Sequence, residues 1–139
     1  MSDTIELPSK FDGQMFHAYR ARPTDARRGG LILIQEIFGV TDHIRELADG
    51  FAEDGYEVLA PSLYDRLEPW FAADYDQRGI AKGRKYSTVT AWDQVAGDLQ
   101  ASLREVARHE PARDALHARL AAAHGVHILS ASGPAFAGD

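Results

Sequence analysis

The chain has 139 residues, 45% of them hydrophobic and 26% charged, with a formal net charge of -6 at pH 7. One core can be buried at this length, so a single domain is expected, and the composition excludes wholesale disorder. An acidic balance argues against nucleic acid as a partner, because the phosphate backbone would be repelled. From the N-terminus, Thr4 to Pro8 alternates Ile5 and Leu7 with polar neighbours and predicts a short edge strand. Asp12-Gly13 signals a tight hairpin of type I′, which needs positive φ at both central residues. Met15 to Arg22 alternates again, so Thr4 to Arg22 reads as an antiparallel hairpin.

Leu31 to Gln35 is a different kind of strand. LILI is continuously apolar, as expected of a strand covered on both faces within a parallel sheet. Ile44, Leu47, Ala48 and Phe51 then fall on one helical face, with Asp42 or Thr41 as N-cap and Gly55 as the C′ residue. Tyr56 to Ala60 predicts the next strand, stopped by Pro61, and the three elements make a βαβ unit with parallel strands. Leu63 to Arg84 has no clean period and predicts a long surface excursion with about a helical turn around Ile80 to Tyr86. Val95, Leu99, Leu103 and Val106 mark a helix over Ala91 to His109.

After Pro111 the texture changes to recurring Arg, His and Ala, ending in SASGPAFAGD. Leu116, Leu120 and Ala123 suggest a weak amphipathic helix, and Val126 to Leu129 a short strand. No apolar run approaches the ~20 residues of a membrane span, and MSDTIELPSK lacks a signal-peptide core, so a cytoplasmic protein is expected. The chain contains no cysteine, which removes disulfides, thiolate metal sites and a thiol nucleophile together. His109, His117, His124 and His127 lack metal-ligand spacing, and neither a metal site nor a cofactor is implied.

The stretch LILIQEIFGVTDHIRELADGFAEDGYEVLAPSLYDR resembles the opening of the dienelactone hydrolase family of α/β hydrolases. The likeness continues more loosely through Tyr75, IAKGR, Trp92-Asp93 and DLQASLREVARH, covering roughly residues 10 to 111. It implies a partial α/β-hydrolase fold, a hairpin followed by a βαβ unit of a mostly parallel sheet, truncated before the nucleophile elbow. Residues 1–111 would be the N-terminal part of that domain and residues 112–139 a divergent tail, read as out-of-frame translation or as poorly ordered. Stopped there, the sheet would leave LILI and its neighbour at an uncovered edge, open to pairing with another chain.

The resemblance also implies chemistry: hydrolysis of lactone or carboxylic ester bonds through a covalent intermediate. Glu36, by residue type alone a surface carboxylate capping a loop, becomes the group that activates the nucleophile. Ile37 becomes an oxyanion-hole donor through its backbone N–H. A cation is expected near the pocket to hold the carboxylate of a small ester or lactone, with Arg84 chemically preferred over Lys82. The family's Gly-x-Cys-x-Gly-Gly elbow is not found after ARHEP, nor is Gly-x-Ser-x-Gly. Ser132, in LSASG, has Ser130 rather than Gly two positions before it, and no helix of useful length is expected to follow, so it makes a poor elbow. The chain is therefore expected to be inactive alone, and the alternative is a non-enzymatic α/β module that binds a small acid or a partner chain. The sequence leaves the oligomeric state open.

Overall fold

The computed structural model describes residues 1–109 and the backbone of residues 126–130. Strands β1 (Ser2–Pro8), β2 (Met15–Ala21), β3 (Gly29–Ile34), β4 (Tyr56–Pro61) and β5 (Val126–Ser130) form a single sheet in the order β1-β2-β4-β3-β5. Its pairings are antiparallel for β1 with β2 and for β2 with β4. They are parallel for β3 with β4 and for β3 with β5. Helices α1 (Asp42–Glu53) and α3 (Trp92–Ala107) cover opposite faces, and α2 (Gln77–Val89) follows the long excursion. An α/β architecture results, with the expected hairpin leading into the expected βαβ unit.

Each layer follows from local pattern. β3 is buried along nearly its whole length, which is why its apolar run is continuous rather than alternating. On one face, Leu31 and Leu33 pack with Val58 and Ala60 against Ile44, Ala48 and Ala52 of α1. On the other, Ile32 and Leu59 meet Val106, with Leu99 and Leu103 of α3 alongside. Removing a side chain such as Ile44, fully shielded from water, from this first cluster would cost about 2–5 kcal/mol. Thr41 caps α1, its hydroxyl accepting from the Ile44 N–H at 3.4 Å, and Gly55 follows the C-cap Asp54.

The structure differs from the sequence-based expectations at three places. The hairpin connection is not a type I′ turn, because only Gly13 has positive φ (74°) there and Asp12 does not. Instead the Ser9 carbonyl accepts from the Gly13 N–H at 2.9 Å, and the Asp12 carboxylate accepts from the Gln14 N–H at 3.0 Å. The excursion is only partly a surface feature, since Leu63, Tyr64 and Phe71 are buried, and its helix runs from Gln77 to Val89. LILI is not at an edge: β3 lies between β4 and β5, and β5 holds the outer position. The helix suggested by Leu116, Leu120 and Ala123 lies outside the described residues.

Candidate active site

β3 ends at Ile34, and the chain turns at once through Glu36, Ile37 and Phe38 at the carboxyl end of the parallel strands, where open α/β sheets bind ligands. Gln35 is buried and anchors this turn at both ends of its amide. Its Oε1 accepts from the Leu63 N–H at 2.9 Å and its Nε2 donates to the Glu36 carbonyl at 3.1 Å. The Gly39 N–H donates back to the same Glu36 carbonyl at 3.0 Å.

The excursion then straps the turn in place. The Ala73 N–H donates to the Phe38 carbonyl at 2.8 Å and the Val40 N–H to the Phe71 carbonyl at 3.3 Å. Gly39 has φ +86°, and a side chain there would collide with the Phe71 backbone, so glycine is required twice over. On α2, Gly83 lies so close to the Ile37 carbonyl that a Cβ could not be accommodated without movement.

The Glu36 carboxylate is half-buried and held from one side. The Tyr75 hydroxyl donates to Glu36 Oε1 at 2.8 Å and lies 2.8 Å from Thr41 Oγ1, while the Tyr75 ring meets Phe38 edge-on at 4.5 Å. Burial, reinforced by the Glu36 charge and opposed by Thr41, raises the Tyr75 phenol above its ordinary pKa, so it stays a donor at neutral pH. Among the described residues no acceptor meets the Ile37 N–H. Glu36 and Ile37 both line a cleft of about 460 Å³, whose walls include Leu63, Tyr64, Trp92 and Val95. The two site residues expected from the strand end are thus side by side at one opening.

The expected cations are elsewhere. Lys82 Nζ pairs with Glu68 Oε1 at 2.8 Å, and the Tyr86 hydroxyl donates to the same oxygen at 2.9 Å. That pairing holds the Glu68 carboxyl below and the Lys82 ammonium above their ordinary pKa values. Lys82 borders a second cleft with Phe71 and Asp74 rather than the one that holds Glu36. Arg84 is exposed on α2 and lines neither cleft. Sequence reasoning missed the role of Gln35 and the contact of Tyr75 with Glu36, which depend on partners 28 and 39 residues away. Ser132 lies outside the described residues, although β5 ends at Ser130, in register with Ile34 and beside the Glu36 turn. Among the described residues no group of His, Asp and Glu could hold a metal ion. None of the described helices is long and apolar enough to cross a membrane.

A mostly parallel sheet with helices on both faces is an α/β-hydrolase-type arrangement, and Glu36 and Ile37 lie at its strand ends. The family model for the dienelactone hydrolase family matches residues 16–116, and the chain belongs to that family. It is 36% identical to the carboxymethylenebutenolidase of Pseudomonas putida over 114 residues, which are 80% of this chain and 47% of that protein. Carboxymethylenebutenolidase 1 of Cupriavidus pinatubonensis is 36% identical over 69 residues, half of this chain and 29% of that one. Among solved structures, a Klebsiella pneumoniae protein assigned as a dienelactone hydrolase superposes with a TM-score of 0.66 at 28% identity, over 94% of this chain and 50% of that one. A dienelactone hydrolase-like promiscuous phosphotriesterase from metagenomic libraries shares the fold, with a TM-score of 0.58 at 17% identity, over 93% of this chain and 48% of its own. The chain spans about half or less of the length of these relatives.

Proposed function

We propose that this chain carries the activating-carboxylate half of a site that hydrolyses lactone or carboxylic ester bonds. The observation that carries the reading is that Glu36 and Ile37, whose N–H meets no acceptor among the described residues, both line one cleft beyond the end of β3. In this reading Glu36 takes a proton from a nucleophile as substrate arrives. The Ile37 N–H then stabilises the oxyanion of the tetrahedral intermediate, a donor worth about 2.7–4 kcal/mol in comparable sites. Tyr75 positions Glu36 by holding one of its two carboxylate oxygens. Lys82 is committed to Glu68, and neither it nor Arg84 borders the cleft, so neither is given the substrate in this proposal. Residues 1–111 are taken as the family module, residues 112–139 as a divergent tail, and the setting as cytoplasmic.

The nucleophile is the part this chain does not supply, because its 139 residues contain no cysteine and no Gly-x-Ser-x-Gly. We therefore expect the purified chain to hydrolyse 4-nitrophenyl acetate no faster than an equal mass of inert protein. Turnover that Ser132→Ala abolishes would show the opposite. The site itself is tested by joining residues 1–109 to the downstream part of the P. putida relative and assaying lactone hydrolysis. Glu36→Gln in that chimaera should lower kcat/KM about 100-fold or more, within the range for a lost proton acceptor. An unchanged kcat/KM would remove Glu36 from the mechanism, and ligand binding with no turnover in the chimaera would favour a binding module.

A further inference from the structure

We propose that His17 is a proton-operated latch that ties the β1–β2 hairpin to the segment carrying Trp70, closed when its ring is charged and loosened as rising pH neutralises it. The ring stands opposite Glu6 in the register of the hairpin, and its Nε2 lies 3.3 Å from Glu6 Oε1. Its Nδ1 lies 2.7 Å from Oδ2 of Asp65, in the segment that follows β4. An ionised carboxylate can only accept, so each ring nitrogen that faces one must carry a hydrogen, and a ring with both hydrogens is the cation. A neutral ring serves one of the two carboxylates and turns a lone pair toward the other.

Asp65 gives a second reason for the charge. Its side chain is only 6% exposed, and a carboxylate so nearly out of water is costly without a cation beside it. Among the described residues His17 is the one basic group within ion-pair distance of it. Arg66, next in the chain, is committed to Asp12 and Asp98. Two further charges on α1 bear on the ring without touching it. The Arg45 guanidinium, 4.9 Å from the Trp70 ring, disfavours a second cation, and Asp49, which accepts from the Tyr19 hydroxyl at 2.7 Å, favours one. Only Glu6 and Asp65 meet the imidazole nitrogens.

What the latch holds is a strained residue. Trp70 has φ 55°, a left-handed conformation that a bulky side chain adopts only when its surroundings impose it. Its N–H donates to Asp65 Oδ1 at 2.8 Å, and its ring lies 5.0 Å from that of His17. The other oxygen, Asp65 Oδ2, accepts from the His17 backbone N–H at 2.6 Å as well as from the ring. Loss of the ring proton removes the cation from this pair and frees Glu6, so Asp65 draws in water and Trp70 relaxes. Phe71 and Ala73, just beyond, pair with Val40 and Phe38 around the Glu36 turn, which is therefore the next element to respond.

The test follows the fluorescence of Trp70 in the 139-residue chain carrying Trp92→Phe, a change at an exposed position that leaves one of the two tryptophans. Between about pH 5 and about pH 9 the emission is expected to change in a single-proton transition. Glu6→Gln, also on the surface, should move its midpoint down by at least about half a pH unit, because one of the two anions that favour the cation is gone. His17→Gln should remove the transition altogether. Where far-UV circular dichroism shows that His17→Gln has not folded, ring-¹⁵N spectra of the histidines take its place. The one ring whose titration Glu6→Gln displaces should then share its midpoint with the Trp70 emission. Emission that stays flat, emission that titrates unchanged in folded His17→Gln, or a midpoint that Glu6→Gln leaves in place would each overturn the latch.

Discussion

Thr41 shows how one side chain can serve both a helix and a site. Its hydroxyl caps α1 through the Ile44 N–H and also meets the Tyr75 hydroxyl that holds Glu36. Thr41→Ala should therefore cost about 1 kcal/mol as a lost cap, and Tyr75→Phe about 0.5–1.5 kcal/mol as a lost hydrogen bond. A double-mutant cycle in urea should give less than the sum of the two, because they share one contact; strict additivity would mean that the contact contributes nothing. Arg66 is a second such residue. It bonds the buried Asp98 carboxylate at 3.0 Å through two nitrogens and Asp12 at 2.9 and 3.0 Å, tying the hairpin loop to α3. Arg66→Ala strands the Asp98 charge in the interior and should cost about 3–5 kcal/mol. The bonds from Arg66 also lower the Asp12 carboxyl from 3.8 to about 2. A carboxyl depressed in the folded state stabilises above the unfolded value and ceases to do so as the pH falls through the folded one. Thermal unfolding between pH 4 and pH 2 should thus be steeper for the native chain than for Asp12→Asn, and equal slopes would show that Asp12 is not linked to folding.

At the scale of elements, the legible parts of the sequence are those whose burial is built from apolar side chains. β3 reads correctly because both of its faces are covered, and α1 and α3 because their apolar stripes keep a helical period. Helix α2 is different: its buried residues are Gly79 and Gly83, four apart on one face, so it packs by close approach of backbone rather than by hydrocarbon. A hydrophobic period cannot report such a helix, which is why only about a turn of it is evident from the sequence. Asp12-Gly13 misleads for a related reason, since the loop is closed by Ser9 and Gln14, outside the dipeptide that suggests the turn. In the proposed site, Glu36 and Ile37 are suggested by the family resemblance, whereas the contact of Tyr75 with Glu36 becomes visible only once Phe38 and Ala73 are seen to pair. Gly83→Ala makes the distinction measurable. Alanine is the better helix former by about 1 kcal/mol, yet its Cβ would meet the Ile37 carbonyl. Net loss of stability in urea, with a shifted Ile37 amide resonance, is expected; a net gain would mean that α2 does not bear on that turn.

For the whole molecule, the order β1-β2-β4-β3-β5 makes the most apolar strand depend on the most distant one in sequence. β4 covers one edge of β3 after a local βαβ crossover, but the other edge waits for β5, about 90 residues further on. During synthesis, at ~5–20 residues per second, that interval lasts on the order of ten seconds. For that time the nascent chain carries a strand of Leu and Ile with a full row of unpaired backbone groups, the form of edge that templates association between chains. The Glu36 turn is complete well before then, since the contacts described for the turn itself come from residues no later than Gly83. Yield of soluble protein is accordingly expected to fall when β5 is slow to reach β3, and to rise when a holding chaperone covers that edge in the meantime.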